Sequence, residues 1–579
     1  MRSLNRIAVF IFLGIFLITA CAPAAPATEV AVVEEPSETT EPPKATEPVV
    51  PTQVPPTEAP IVSPPDFEPL AVGADCDSGS TIQEIAALDE LTVQFSLCRP
   101  DPAFLSKAAF IAFAIQPREH LESAAADKEI LENPVGTGPW ELESWERGDS
   151  LVFKRFDGYW GDSAISSSLV FRWSKEAASR WLELQSGLVD GIDFPAPSDY
   201  EDILGKPEYQ LIYKAPLNLF YLGMNNTFKP FDDLRVRKAI AIGVDRQRLV
   251  DTFYPIGSKV ATHFTPCEIA NGCAGEDWYE FDLEGARALL AEAGLADGFS
   301  TKLFYRDVVR SYLPEVGLLA QELQAQLKDN LNIDAEIVLV ESGEYVSALG
   351  DGRLDGLHMY GWIADFPHIT NFLDTHFGST SVRFGTLPTE IYEPIQQGAQ
   401  IADPEEAMPF YEQANNAIRE FIPTIPMIHA VSAAAYKADV KNASASPLST
   451  DNFAVMDPAG REMFVWMQNA EPISLYCADE TDSESLRACA QVLEPLYSYV
   501  PGGTDIQPAL AKSCTPDVEL KVWTCELREN VKFHDGSLLD ANDVVVSWVA
   551  GWDASSPLHV GSTGTFEYFT TLFGLINNP

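Results

Sequence analysis

The sequence predicts an α/β protein in which helices cover the sheets. Strand-like segments alternate with amphipathic helices along most of the chain, which is typical of α/β architectures. The chain has 579 residues, of which 46% are apolar. This length exceeds one ordinary hydrophobic core, so we expect two or more compact units.

Helices and strands are most clearly marked in the first two thirds of the chain. Residues 91–97 alternate between apolar and polar with a period of two, as a half-buried strand does. Asp282 is a typical N-cap before a helix with one apolar stripe. A second helix over residues 315–328 leads into a strand over residues 335–340, and a third helix covers residues 405–421.

The remaining segments continue this pattern. Residues 217–225 are apolar and strand-like, and residues 464–467 and 520–527 have the composition of strands. Asp540 precedes an apolar run that begins a helix. No internal repeat is present in the sequence, so a solenoid is excluded.

The first residues predict export and attachment to a membrane surface. Arg2 and Arg6 precede an apolar run over residues 7–20, which is too short to span a bilayer core of about 30 Å as a helix. The run ends in Thr19-Ala20-Cys21, which resembles a bacterial lipobox and implies cleavage before Cys21 and lipid attachment to it. The alternative is an ordinary signal peptide with a chance cysteine.

A tether follows the anchor. Residues 22–66 consist mainly of Pro, Ala, Thr, Glu and Val and contain almost no aromatic residues. Such a composition cannot bury a core, so we expect an extended, disordered segment. The predicted order is therefore a signal peptide over residues 1–20, a lipidated Cys21 with its tether over residues 21–66, and then the folded part.

The charge excludes a nucleic-acid partner. The chain has 85 acidic and 38 basic residues, a formal net charge of −47. A phosphate backbone requires clustered Lys and Arg, and the sequence has no such cluster. The acidity is interpreted as solubility of an exported protein.

Cysteine and histidine usage predicts disulfides and neither metal nor cofactor. Without Cys21, eight of the nine cysteines remain, an even number suited to an oxidising compartment. The sequence has no CxxC, and its eight histidines show no metal-ligand spacing. The order of the cysteines suggests neighbour pairs: Cys76 with Cys98, Cys267 with Cys273, Cys477 with Cys489, and Cys514 with Cys525.

The candidate binding residue is Asp365, which lies in the stretch Tyr360–Pro367. Two aromatic residues, Trp362 and Phe366, surround this carboxylate, and Gly361 precedes it. A charge in such surroundings is paired inside the protein or receives a cation from outside. We predict that Asp365 lies on the floor of a cleft that closes over a solute; the alternative is pairing with an internal arginine or a helix cap.

Short motifs are spread over nearly all of residues 80–579. They are Gly136-Thr137-Gly138-Pro139-Trp140, Asn225 with Pro230-Phe231, Arg235-Val236-Arg237-Lys238-Ala239, Trp362-Ile363-Ala364-Asp365, Glu494-Pro495-Leu496, Val531-Lys532-Phe533-His534-Asp535-Gly536 and Ala541-Asn542-Asp543-Val544. Together they resemble the extracytoplasmic solute-binding proteins of peptide/nickel-type ABC importers, family 5 or cluster C.

The resemblance implies a fold like that of the type II periplasmic binding proteins, with two lobes joined by a two-strand hinge. One lobe would combine residues 67–218 with residues 432–579, and the other would comprise residues 219–431. Residues 217–225 and 427–435 are the hinge candidates.

The motif order differs from that of the family, in which the Glu494 and His534 motifs come first. Here they lie within residues 462–579, after all the others. We interpret this as a circular permutation, which is feasible because domain termini usually lie at the surface. The alternative is a truncated second copy after a first copy that lacks its start.

The resemblance also assigns site residues. In peptide-binding relatives, the acid matching Asp365 pairs with the ligand's α-ammonium, and Trp362, Gly361 and Asn225 fall at positions that line the cleft. The alternatives are core packing for Trp362 and a turn for Asn225. His368 stands where many relatives have Asp, which leaves the substrate class open.

The function that follows is that of a non-enzymatic, monomeric receptor, which captures a peptide-like solute and delivers it to an ABC permease with separate ATPase subunits. It would be lipid-anchored at the outer face of the cytoplasmic membrane or in the periplasm. Carbohydrate or nickel-chelate binding, and a sensor or chaperone without transport, are the alternatives. A hydrolase is disfavoured because neither GxSxG nor HExxH occurs.

Overall fold

The computed structural model describes residues 67–577. The predicted signal peptide, the Cys21 anchor and the tether lie outside these residues. Among the described residues there is no helix whose length and apolar character would let it traverse a bilayer.

The strands alternate with helices as the sequence predicts. The strands are β1 Ala71–Gly73, β2 Ile82–Asp89, β3 Thr92–Leu97, β4 Trp140–Glu146, β5 Ser150–Arg155, β6 Ser168–Trp173, β7 Gly191–Asp193, β8 Tyr209–Lys214, β9 Asn218–Gly223, β10 Lys259–Val260, β11 Ser300–Tyr305, β12 Asp334–Leu339, β13 Leu357–Ile363, β14 Thr424–His429, β15 Ser432–Lys437, β16 Met463–Gln468, β17 Tyr497–Tyr499, β18 Ile506–Pro508, β19 Ala511–Pro516 and β20 Val522–Leu527.

The α-helices begin at typical caps, among them the Asp282 and Asp540 side chains, which accept backbone N–H bonds. They are α1 Phe104–Ala108, α2 Arg118–Ala124, α3 Ala177–Gln185, α4 Tyr200–Leu204, α5 Leu234–Gly243, α6 Arg246–Phe253, α7 Leu283–Glu292, α8 Val316–Leu331, α9 Ser342–Gly350, α10 Thr370–Phe377, α11 Thr389–Gly398, α12 Pro404–Phe421, α13 Ser483–Val492, α14 Ala541–Trp552 and α15 Glu567–Leu572.

The first and last parts of the chain share two sheets. A seven-stranded sheet has the order β4-β5-β6-β16-β7-β15-β8, and a five-stranded sheet has the order β1-β2-β3-β20-β19. In the first, β16 is parallel to β6; in the second, β20 is antiparallel to β3. Strands from the C-terminal part therefore occupy interior positions in sheets that the N-terminal part begins.

The middle of the chain forms its own six-stranded sheet, ordered β10-β14-β9-β13-β11-β12. Strand β11 is parallel to its neighbours β12 and β13, whereas β9 is antiparallel to both of its neighbours, β13 and β14. The chain passes between this sheet and the seven-stranded sheet twice, through residues 215–217 and residues 430–431. Both short crossings lie within or beside the two hinge candidates.

Aromatic packing joins the N-terminal and C-terminal parts. The Trp548 ring of α14 lies 4.7 Å from the ring centroid of Phe95 and 5.1 Å from that of Phe113. All three side chains are essentially buried. Large buried rings contribute much of a core's apolar area, so this contact stabilises the packing of the C-terminal part on the N-terminal part.

Two of the family-like motifs meet at a carboxylate, although they are separated by more than three hundred residues. Glu494 accepts hydrogen bonds from Thr137 Oγ1 at 2.7 Å, Tyr159 Oη at 2.8 Å and Trp160 Nε1 at 2.7 Å. Gly136 lies so close to this segment that a Cβ there would be 2.1 Å from the Val492 carbonyl oxygen. The glycine is thus required for the two segments to approach.

Residues 67–577 contain four disulfides, Cys76–Cys98, Cys267–Cys273, Cys477–Cys489 and Cys514–Cys525. They are the neighbour pairs that the order of the cysteines suggests. Cys514 and Cys525 face each other directly across the β19–β20 hairpin.

Candidate functional site

The site is built at the end of β13, which lies in the interior of the six-stranded sheet. Tyr360 and Gly361 pair with Tyr221 and Phe220 of β9. After Ile363 the strand ends, and the chain turns into α10. Asp365 lies in this turn, so the sheet fixes its position from one side and the helix from the other.

Asn371, in the first turn of α10, holds the turn together. Its Nδ2 donates to Asp365 Oδ2 at 3.0 Å, while its Oδ1 accepts from the Asp365 backbone N–H at 3.2 Å and from Trp362 Nε1 at 2.8 Å. One amide thus orients both the candidate acid and the candidate aromatic residue. Asp365 has no basic partner among the described residues, so the internal salt bridge considered from the sequence is not observed.

The opposite wall comes from the C-terminal part of the chain. The Tyr568 hydroxyl of α15 lies near enough to the Asp365 carboxyl group to lower its pKa, and the charge of Glu567 raises the pKa of Asp365. Burial raises the pKa of Tyr499 of β17, and the charge of Asp365 raises it further. The Tyr499 hydroxyl donates a hydrogen bond to the Ser106 carbonyl at 2.7 Å. Asp365 therefore lies where the middle of the chain meets the part formed by its two ends.

The electrostatics of Asp365 suit capture of a cation. Burial raises the pKa of Asp365 to about 6, against the lowering effects of the Asn371 hydrogen bond and of the Tyr568 hydroxyl, and the charge of Glu567 raises this pKa further. An ammonium group would reverse this effect, because an opposite charge favours the ionised carboxylate. A cation beside Asp365 would therefore lower its pKa again.

The residues after Asp365 contact the N-terminal part of the chain. Lys107 Nζ of α1 lies 5.6 Å from the Phe366 ring centroid and forms an ion pair with Asp101 at 2.7 Å. His368 is near this pair, although burial is the main cause that lowers the pKa of His368, to about 4. These contacts cover the Asp365 turn from the outside.

Gly361 and Asn225 make contacts of a structural kind. A Cβ on Gly361 would lie 2.2 Å from the Leu219 carbonyl oxygen and 2.4 Å from the Tyr312 ring, so the glycine allows that ring to pack on β13. Asn225 Nδ2 donates to the Gly352 carbonyl at 2.8 Å, and its Oδ1 accepts from the backbone and side chain of Thr227. The structure brings Trp362 to Asp365, but the polar atoms of Asn225 are used in a turn.

A small cavity of mixed polar and apolar lining lies beside the two crossings. Its volume is about 20 Å³, enough for a water molecule. Its lining includes Lys214 and Asn218 near the first crossing, Ser432 after the second, and Ile363 at the end of β13. Lys214 itself is paired with the buried Asp193 at 2.7 Å.

One cluster has the residue types of a metal site. The ligand atoms of His263, Cys267 and Cys273 lie within 4.8 Å of one another. Both cysteines are joined in a disulfide, which removes the thiolates that a metal would need. This cluster is therefore not a metal centre in its oxidised form.

Sequence reasoning missed Asn371, Tyr568, Glu567 and Tyr499. Asn371 follows Asp365 by six residues, and its position at the start of a helix was a usable signal. The other three residues lie more than a hundred residues away in the chain, and only tertiary packing brings them to Asp365.

The chain belongs to the bacterial extracellular solute-binding proteins, family 5. The profile of this family matches residues 54–384 and 505–564. Members of this class bind solutes outside the cytoplasm, in agreement with the class expected from the motifs.

Two curated relatives illustrate the similarity. The dipeptide-binding protein of Escherichia coli (strain K12) is 30% identical over 380 residues, which are 64% of this chain and 71% of the relative. Di/tripeptide-binding protein 3 of Pseudomonas aeruginosa (strain UCBPP-PA14) is 28% identical over 395 residues, which are 66% of this chain and 72% of the relative.

Solved structures show the same fold. HbpA2 from Haemophilus parasuis superposes with a TM-score of 0.57 at 27% identity, covering 64% of this chain and 75% of that one. The periplasmic binding protein DppA from Helicobacter pylori, in complex with the peptide STSA, superposes with a TM-score of 0.55 at 24% identity, covering 62% and 71%. The chain is thus a mixed α/β protein of the type II periplasmic-binding-protein kind.

Proposed function

We propose that this protein is a non-enzymatic receptor that captures a short peptide by its amino terminus and passes it to an ABC permease. Asp365 binds the α-ammonium group, and Asn371 and Trp362 position the Asp365 carboxylate for this contact. Lipid on Cys21 holds the receptor at the membrane surface. Separate subunits hydrolyse ATP.

The observation that carries the proposal is the state of Asp365. The Asn371 amide donates a hydrogen bond to this carboxylate, and burial raises its pKa. Among residues 67–577 the carboxylate has no basic partner. A charge-assisted hydrogen bond formed in such a water-poor site is stronger than one on the surface. The names of the dipeptide- and di/tripeptide-binding relatives support a peptide as its partner.

We infer that binding closes two lobes, one of residues 67–218 with residues 432–579, the other of residues 219–431. The separate sheets and the two short crossings support this division. The interleaving of β16 and β20 with N-terminal strands supports the circular permutation, since one complete lobe is assembled from both ends of the chain.

Carbohydrate binding receives less support. Stacking on sugars requires accessible tryptophan rings, but Trp140, Trp466, Trp548 and Trp552 are fully buried. Trp362 remains half-buried beside Asp365, and its ring nitrogen is already bonded to Asn371.

Calorimetry with Asp365→Asn tests the proposal. We expect trialanine to bind the wild type and to bind the variant about tenfold to a hundredfold more weakly, since the charge that meets the ammonium is lost. N-acetyl-trialanine, which has no ammonium group, should bind both proteins equally weakly. Equal effects of the substitution on both peptides would rule out capture of the amino terminus.

A further inference from the structure

In the segment that follows β10, a histidine lies beside the Cys267–Cys273 disulfide. A ring nitrogen of His263 and the two cysteine sulfurs all lie within 4.8 Å of one another. The Thr262 hydroxyl connects these groups, at 3.0 Å from His263 Nδ1 and 4.0 Å from Cys273 Sγ. Asp277 Oδ1 is 3.9 Å from the same ring nitrogen. Two sulfurs, one imidazole and one carboxylate therefore come together, and these are the donors that Zn²⁺ accepts.

The loop between the two cysteines is held by its own backbone. The Gly272 N–H donates to the Ile269 carbonyl at 2.9 Å, and the Ile269 N–H donates to the Pro266 carbonyl at 3.2 Å. Gly272 packs so closely that a Cβ there would lie 2.0 Å from the Pro266 carbonyl oxygen. None of these contacts involves sulfur, so reduction of the disulfide would leave the two thiols side by side.

Helix α12 fixes the same loop from outside. Asn271 Nδ2 donates to the Pro404 carbonyl at the start of this helix, at 2.9 Å. Asn415 Nδ2, from the body of the helix, donates to the Ala274 carbonyl at 2.9 Å. Donor atoms that a rigid support already holds together lose little freedom when a ligand binds them.

His263 is a buried side chain whose ring nitrogens are loosely held. The residue is 4% exposed, and among residues 67–577 its Nε2 has no hydrogen-bond partner. Its Nδ1 contacts the Thr262 hydroxyl, whose proton can rotate away. Since buried polar groups normally have firm partners, this imidazole is suited to gain one by binding a metal ion.

The Cys267–Cys273 disulfide can be reached from solvent. Cys267 is exposed and Cys273 is half-buried, whereas the two disulfides of the C-terminal part are buried. The Cys76–Cys98 disulfide is also accessible, but among residues 67–577 no third ligand group joins it. Access for a reductant and a histidine ligand thus coincide at Cys267–Cys273.

We propose that His263, Cys267 and Cys273 form a redox-gated site for a borderline-soft divalent cation such as Zn²⁺. A dithiol reductant transfers two electrons and two protons to the disulfide, which becomes two thiols, while the dithiol becomes a disulfide. The metal ion displaces both protons to solvent and binds the two thiolates and the imidazole. Asp277 supplies the fourth donor of a tetrahedral set. This site goes beyond peptide capture, which uses other residues.

Cobalt binding by the full-length protein tests this site, with Cys21→Ser in the parent protein to remove a competing thiol. Dithiothreitol reduces the protein and is then removed by anaerobic gel filtration. We expect Co²⁺ to give the near-ultraviolet charge-transfer band of a thiolate–cobalt bond, with about one ion per chain, and Zn²⁺ to displace it. The oxidised protein has no thiolates at this site and should give no band.

Variants of the reduced protein locate the ligands. Cys267→Ser, at an exposed position, and His263→Asn should each weaken Co²⁺ binding at least about tenfold. The asparagine amide resembles the Nδ1 side of the imidazole in shape but is a poor ligand for such ions. The matched control combines Cys76→Ser with Cys98→Ser, which removes the accessible cysteine pair that lacks a histidine, and it should retain the band.

Each outcome bears on the proposed metal site. Absence of the band in the reduced parent protein overturns it. Unchanged Co²⁺ affinity in either Cys267→Ser or His263→Asn overturns it as well, because that residue is then not a ligand. A band that disappears in the folded double variant assigns the thiolates to Cys76 and Cys98 and also overturns it.

Discussion

At the scale of single residues, the titration of Asp365 links the site to pH. Burial raises the pKa of this carboxyl group to about 6. In the unfolded chain this carboxyl group would titrate near its ordinary pKa, so protonation of Asp365 stabilises the folded, ligand-free protein relative to the unfolded chain. This stabilisation is fully present below the unfolded pKa of about 4 and is lost as the pH rises through 6.

Ligand binding should show the opposite trend with pH. An α-ammonium group pairs with the ionised carboxylate, so binding must displace the proton from Asp365 at acidic pH. The affinity for trialanine is therefore expected to fall about tenfold between pH 7 and pH 5. Calorimetry in buffers of different ionisation enthalpy measures the protons released.

Two controls isolate the titrating group. Asp365→Asn cannot titrate at this position, so its weak affinity for trialanine should be nearly independent of pH. N-acetyl-trialanine should also show a flat profile with the wild type. A tenfold fall that persists in the variant would assign the proton to another residue.

At the scale of elements, Glu494 links the segment after α13 to the segment that leads into β4. It accepts three side-chain hydrogen bonds, and burial raises the pKa of Glu494 to about 6 in spite of them. The two family-like motifs are therefore fold determinants, since their contact is an internal hydrogen-bond network. They are remote in sequence and adjacent in space.

Substitution of Glu494 should destabilise the fold. Glu494→Leu leaves the donors of Thr137, Tyr159 and Trp160 without an acceptor, and the free energy of unfolding should fall by about 2–4 kcal/mol. Urea denaturation followed by tryptophan fluorescence measures the change. Glu143→Leu, at an exposed position of β4, should change the stability by less than about 0.5 kcal/mol; similar losses in both variants would contradict this role.

Local structure followed from local sequence in most elements. The alternation over residues 91–97 predicted β3, and the caps at Asp282 and Asp540 mark the starts of α7 and α14. These features depend on periodicity and on side-chain hydrogen bonds to neighbouring backbone groups. The pairing of β20 with β3 could not be predicted from local sequence, because tertiary packing determines which strands pair.

At the scale of the whole molecule, the two ends of the chain build one body. Strands β15 and β16 lie among β4–β8, and Trp548 packs against Phe95 and Phe113. The short motifs predicted the family, and their unusual order predicted that the N-terminal and C-terminal parts of the chain would fold together. Half of the proposed site, Asp365 with Trp362, was predicted from the sequence, whereas the wall formed by Tyr499, Glu567 and Tyr568 depends on this long-range assembly.

In the proposed mechanism, a peptide amino terminus bound at Asp365 draws the two lobes together. Spin labels on cysteines at Glu90 and Thr380, exposed positions in the two proposed lobes, report the distance between them by pulsed electron resonance, with Cys21→Ser to remove a competing thiol. We predict that saturating trialanine shortens the mean distance in this protein and leaves it unchanged in the Asp365→Asn variant. A distance distribution that does not respond to bound peptide would contradict lobe closure on the peptide.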